Sequence, residues 1–208
     1  MLAIIDYGVG NLFSLSRSLE HLGVNCQITR SLTELKAADH IILPGVGAFG
    51  DARKKLEELS LIEPIQALAA SGKPFLGICL GMQLLFDKSE EFGEHSGLGL
   101  IPGRIVSMRE TFDRENIDLK VPQIGWNKLT VQNQHSPLVK SLGKNDFVYY
   151  VHSYYATDCQ KYLVADSEYG ISIPGIVQNK NVFGTQFHPE KSGEVGLNIL
   201  KAFTEVPA

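Results

Sequence analysis

The sequence predicts an α/β fold: three layers, with a mostly parallel central sheet flanked by helices and additional antiparallel strands in the C-terminal half. Two observations carry this. Over residues 1–90, apolar runs of strand length alternate with stretches of helical periodicity, the pattern of βαβ units. After about Gly93 the chain changes to short apolar segments punctuated by Gly and Pro, the pattern of strands and hairpins.

LAIIDY is the first strand. After the GVGN turn, Leu12, Leu15, Leu19 and Leu22 recur at helical spacing, and Gly23 is placed to end that helix. VNCQIT is the second strand. In SLTELKAAD, Ser31 with Glu34 three residues on reads as a capping box, and HIILPG follows as the third strand. Beyond the PGVGAFG loop, DARKKLEEL and IEPIQALAA are helical and Gly72 breaks them. KPFLGI has the length and apolar content of a buried parallel strand, and LGMQLLFDKSE can run as a helix from about Leu80. IPGRIVSM, WNKLTV, DFVYYVHSYYA, YLVADSEYG, ISIPGIVQN and NVFGTQF read as strands. GEVGLNILKAF closes the chain as a helix carrying Val195, Ile199 and Phe203 at a spacing of four. No internal repeat, low-complexity tract or linker is visible, so residues 1–208 are expected to form a single domain.

The composition narrows the possible functions. With 44% hydrophobic residues, 20% charged residues and a formal net charge of -4, the chain is ordinary for a globular protein and has no basic footprint for nucleic acid. Cys26, Cys79 and Cys159 are far apart and odd in number, which suits a reducing compartment better than a disulfide framework. No C-x-x-C spacing suggests a metal site. The start MLAIIDYG lacks the basic residues and long apolar stretch of a signal peptide, and no apolar segment approaches a membrane span. The expectation is a soluble, cytoplasmic protein without metal.

The most informative stretch is LGICLGMQL. Cys79 falls at the strand-to-helix junction with Gly77 and Gly81 two positions to either side. A nucleophile on such a sharp turn has a strained backbone and needs small neighbours at those positions. A helix N-terminus also favours the reactive thiolate. A small buried hydrophobe, the other reading of Cys79, leaves the glycines unexplained.

Among the six histidines, His21, His40, His95 and His135 lie in polar or helical surroundings and read as solvated. His188 follows the apolar VFGTQF, and Pro189 biases it toward an extended conformation, so His188 and Glu190 should point to one side. A carboxylate beside an imidazole is the arrangement that fixes a base for a thiol. Taken alone, His-Pro-Glu also reads as a strand-end turn with a surface ion pair. Leu80, after the nucleophile, supplies one N–H of an oxyanion hole in elbow sites, and the Gly45-Val46-Gly47 loop after the third strand can supply a second. The other glycine-rich turn, Asp6-Tyr7-Gly8-Val9-Gly10-Asn11, matches a dinucleotide fingerprint weakly because Phe13 stands where its third glycine would be.

With Cys79 in GICLGMQLL and His188 with Glu190 in GTQFHPEKSG, the chain resembles the class I, triad-type glutamine amidotransferases. Within them, DYGVGNL, PGVGAFG, GLGLIPG, PQIGWN and YYVHSYY, in this order and essentially end to end, resemble the glutaminase-subunit family of imidazole glycerol phosphate synthase. The resemblance implies that Cys79 attacks the side-chain amide of glutamine, that His188 serves as base and then acid, and that Glu190 orients it. It places Gln83 and Glu91 at the amino-acid end of glutamine, Val46, Gly47 and Leu80 around the oxyanion, Gly47 also along the substrate, and Ser153 with Tyr154 on the substrate through backbone. Gln83 lies one helical turn after Cys79, on the same face, which agrees.

The resemblance implies no cofactor and a separate β/α-barrel cyclase as partner in a heterodimer, because nothing beyond the glutaminase remains to hold an ammonia acceptor. Trp126, with Gly125 and Asn127, would face that partner; without the resemblance, burial in this chain's own core is the preferred reading of the tryptophan. Phe13 departs from the family, which often carries arginine there, at a place expected to be remote from the triad residues. A paralogous subunit feeding another acceptor, as in amino-sugar biosynthesis, and a non-catalytic interaction subunit remain as alternatives. A pyridoxal phosphate synthase glutaminase fits less well, because its elbow differs from Cys-Leu-Gly-Met-Gln. A lone cysteine hydrolase of peptides is the fourth.

Overall fold

The structure, a computed structural model, describes residues 1–207. The predicted βαβ half is present: β1 (Leu2–Ile5), α1 (Leu12–His21), β2 (Cys26–Thr29), α2 (Leu32–Ala37), β3 (His40–Leu43), α3 (Phe49–Glu58), α4 (Ile62–Ala70) and β4 (Phe75–Ile78). α5 (Leu80–Leu84), β5 (Phe86–Ser89), β6 (His95–Ser96), β7 (Ile101–Ser107), α6 (Met108–Glu115), β8 (Gln123–Lys128) and β9 (Thr130–Val131) follow. β10 (Phe147–His152), β11 (Tyr154–Thr157), β12 (Leu163–Glu168), β13 (Ser172–Asn179), β14 (Val182–Thr185) and α7 (Gly193–Thr204) complete the order.

The main sheet runs β2-β1-β3-β4-β14-β13-β12-β9. Its first five strands pair in parallel and the remainder antiparallel. Strands buried on both faces read as continuous apolar runs, which is why LAII and FLGI show no polar alternation. Their side chains divide between two cores. Ala3, Ile5, Ile41, Leu43 and Phe75 pack with α2, α3 and α4, while Leu2, Ile4, Ile42, Leu76 and Ile78 pack with α1, α6 and α7. Two smaller sheets, β10-β8 and β11-β7-β5-β6, stand beside the main one.

Three local expectations need correction. The helix after Cys79 stops at Leu84, and FDKS is a strand, because the carbonyls of Leu84, Leu85 and Phe86 are taken by the N–H groups of Leu98, Leu100, Ile101 and Gly99. The capping box at Ser31 does not form: Glu34 instead accepts from the Thr29 hydroxyl, whose oxygen accepts the Ser31 N–H at 2.9 Å. His40 and His95 are half-buried rather than solvated; His40 Nε2 meets the Val206 carbonyl at 2.8 Å, and His95 packs on Phe49. Helix α6 escaped the sequence reading, although Ser107 with Glu110 three residues on was its signal; the Ser107 hydroxyl accepts the Glu110 N–H.

Candidate active site

Cys79 joins β4 to α5 at φ 54° and ψ -112°, a backbone region that residues with a Cβ avoid. Both ends of the residue are held: its N–H donates to the Thr185 carbonyl at 2.7 Å, and its carbonyl accepts the Gln83 N–H at 3.1 Å. The flanking glycines answer to contact rather than to dihedral freedom. A Cβ on Gly77 would stand 2.6 Å from the Gly81 carbonyl oxygen, and one on Gly81 would collide with the Leu43 carbonyl oxygen. Gly81→Ala should therefore displace β3 from the elbow and cost roughly 1–3 kcal/mol of stability. Thermal denaturation beside an exposed Gly72→Ala control, which has open space but a positive φ, measures it; equal losses would remove the contact argument.

His188 and Glu190 arrive at the same place from the end of β14. His188 Nδ1 lies 2.8 Å from Glu190 Oε1, and both side chains are almost wholly buried. Burial alone would lower the imidazole pKa, but hydrogen bonds to Cys79 and Glu190 outweigh it and hold the pKa well above the ordinary value. The charged imidazolium is the counter-ion that a thiolate requires. The main chain of His188 is fixed too, its N–H on the Tyr149 carbonyl at 3.1 Å and its carbonyl under the Ser192 hydroxyl at 2.7 Å.

A cleft of about 460 Å³ opens over Cys79, and Val46, Gly47, Leu80, Gln83, Glu91, Ser153, Tyr154 and His188 line it. The structure thus brings together every residue that the resemblance placed around glutamine, with Glu190 directly behind His188. Gln83 turns out to be half committed. Its amide NH₂ donates to the Tyr154 carbonyl and to Gln186 Oε1, both at 3.0 Å, so only its oxygen is left for a ligand. Glu91 Oε2 accepts the Phe49 N–H at 2.6 Å, and burial raises its carboxyl pKa against that hydrogen bond. An amide oxygen and a carboxylate suit an ammonium group.

Two residues of this site went unremarked in the sequence. Gln186, fully buried, uses its own NH₂ toward the Cys79 sulfur at 3.9 Å; its signal was the i, i+2 spacing to His188, which puts both on one side of an extended segment. His152 lines the same cleft from YYVHSYY, where only Ser153 and Tyr154 had drawn notice.

The Gly45-Val46-Gly47 loop is anchored by the Tyr7 hydroxyl, which donates to the Pro44 carbonyl at 2.8 Å. Its two glycines differ in purpose. Gly47 sits at φ 91° with open space around it, whereas Gly45 admits no Cβ because Gly81 N would be 2.6 Å away. Asn11 and Leu15, on either side of Phe13, border a small cavity with His188 and Glu190, so this turn is closer to the site than its sequence position suggested. Phe13 itself faces solvent with the Arg17 guanidinium over its ring.

Trp126 lies outside the cleft, on strand β8. It is 54% exposed and thus not a core residue. With Ile124 and Phe147 it forms an exposed apolar face on the β10-β8 pair, and Gly125, at φ 136°, lies between Ile124 and Trp126 on the strand. Asn127 turns back to the Glu168 carbonyl.

The site is a strained cysteine at an elbow, with the His188–Glu190 pair beside it, opening on the cleft. Residues 3–205 match the class I glutamine amidotransferase family, and the chain belongs to it. It is 47% identical over 99% of its length to the imidazole glycerol phosphate synthase subunit HisH of Listeria monocytogenes, covering 96% of that protein. It is 46% identical over its full length to the subunit of the same name from Bacillus subtilis, covering 97% of it. Among solved structures, PurLQS from Thermotoga maritima superposes with a TM-score of 0.73 at 20% identity, covering 98% of this chain and 96% of that one. Among the described residues no helix is long and apolar enough to cross a membrane.

Proposed function

We propose that residues 1–208 form one glutaminase domain, the cytoplasmic glutamine amidotransferase subunit of an imidazole glycerol phosphate synthase in histidine biosynthesis. End-to-end similarity to HisH subunits carries this reading. The Cys79 thiolate attacks the side-chain amide carbon of glutamine, and the developing oxyanion meets the N–H groups of Leu80 and of the Val46-Gly47 loop. His188 gives its proton to the departing ammonia, leaving a glutamyl thioester. It then takes a proton from an attacking water, whose oxygen bonds the acyl carbon as the C–S bond breaks, releasing glutamate and restoring the thiolate and imidazolium. Glu190 orients the imidazole. Gln83 and Glu91 hold the substrate ammonium, and the Ser153-Tyr154 segment meets the rest. Ammonia passes to a β/α-barrel cyclase docked on the exposed face of Trp126, along the segment that also carries Gly125 and Asn127, where a phosphoribosyl-formimino carboxamide ribonucleotide is converted to imidazole glycerol phosphate and aminoimidazole carboxamide ribotide.

A glutaminase that ran alone would waste glutamine, so its activity should depend on the partner. Rotation of the Val46 peptide is one way to withhold an oxyanion donor, worth about 2.7–4 kcal/mol or ~10²–10³ in rate. The positive φ of Gly47 and its open surroundings make that rotation easy on one side, while the packing of Gly45 restrains the other. Glutamate release by the chain alone, with cyclase, and with cyclase plus its nucleotide should rise in succession, mostly in kcat. Full activity of the isolated chain would refute this dependence and favour an independent hydrolase.

A further inference from the structure

Strand β8 and strand β10 place Gln123 directly opposite His152, and both side chains turn inward and are more than nine-tenths buried. Backbone carbonyls fix the polarity of each. The Glu168 carbonyl draws the Asn127 amide nitrogen, so Asn127 Oδ1 faces Gln123 and accepts from its Nε2 at 2.9 Å. Gln123 is thereby left with its oxygen free. The Tyr154 carbonyl lies 2.9 Å from His152 Nδ1, so that nitrogen carries the proton and Nε2 keeps a lone pair. Among the described residues no donor reaches Gln123 Oε1 or His152 Nε2, and both atoms are shut off from solvent.

Two buried acceptors on directly opposed residues cannot satisfy each other, whereas one water has two protons to give. We infer that a single water held between Gln123 Oε1 and His152 Nε2 completes a hydrogen-bonded chain from strand β8 to Cys79, and that His152 is a positioning residue for the turn that receives glutamine. From His152 the chain runs through the Tyr154 carbonyl, the Gln83 amide and the Gln186 amide to the Cys79 sulfur. At its other end stands Asn127, next to the exposed Trp126. Burial, and the charge of nearby His188, push the His152 pKa down to about 4, so the ring is neutral at working pH. The water needs no assumption about chemistry, but the positioning role rests on the glutaminase reading.

The test therefore has two arms. In ¹⁵N NMR of the histidine-labelled wild-type chain, His152 should be the Nδ1–H tautomer, and a high-resolution crystal structure should hold a water within reach of both acceptors. An Nε2–H tautomer, or no water there, overturns the inference whatever the chain catalyses. In the reconstituted complex, His152→Gln, which loses the donor to Tyr154, should raise KM for glutamine roughly two- to tenfold, the worth of one neutral hydrogen bond, with kcat nearly unchanged. His152→Asn, whose amide can replace Nδ1–H, should bring KM back. Equal KM in wild type and both variants, or no rescue by Asn, overturns the positioning role. Absence of glutaminase activity in the wild-type complex would instead strike at the proposed function.

Discussion

Cys79→Ala should eliminate glutamine-dependent turnover, on the order of a 10⁶-fold loss as for other removed triad nucleophiles, while the complex with its cyclase still uses added ammonium salts. No other thiol can replace it. Cys159 is buried with its pKa raised by burial to about 11, and Cys26 is likewise raised by burial; neither lines the cleft. Alanine is also small enough for the elbow, although its φ of 54° stays strained, so circular dichroism and ammonium-dependent activity should report an intact fold. Both rates are read on one preparation. Persistent glutamine-dependent turnover would show that the nucleophile lies elsewhere.

His188→Asn should be almost as damaging, by roughly 10²–10⁴ in kcat, because it removes both the proton carrier and the positive charge beside the sulfur. Glu190→Gln should lose less, since Glu190 transfers no proton and acts through the 2.8 Å contact that orients Nδ1. Burial makes that loss more than trivial: an ion pair with side chains 4% and 3% exposed is not weakened by solvent in the way a surface pair is. Single-turnover measurement of thioester formation separates the two effects. If Glu190→Gln proves the most severe of the three, the division of roles among them is wrong.

How far the sequence reached can be judged from particular residues. Periodicity located the βαβ half because parallel strands buried on both faces leave uninterrupted apolar runs, and those runs in LAII, HIIL and FLGI are also what packs the two cores. It failed just after the elbow. LLFDKS has acceptable helical propensity, and only the segment Gly97–Ile101, far along the chain, takes the carbonyls that would have continued the helix. Gln186 and His152 were missed for a similar reason: a glutamine or histidine in a strand has no local mark that says which buried group it meets.

By itself the sequence determined the nucleophile candidate, its small neighbours, the His-Pro-Glu partner and the alternation of strand and helix, because each is a local constraint written at fixed spacing. The tertiary structure decided what depends on residues distant in the chain. It showed that Gly81 is required by the Leu43 carbonyl, that Gln83 has spent its NH₂ on Tyr154 and Gln186, that Trp126 is exposed, and that Gln123 and His152 are left with two acceptors and no donor. Hydrogen bonds and van der Waals contacts act over a few ångströms of space, and the chain brings residues 43, 83, 123, 152 and 186 within that range only by folding.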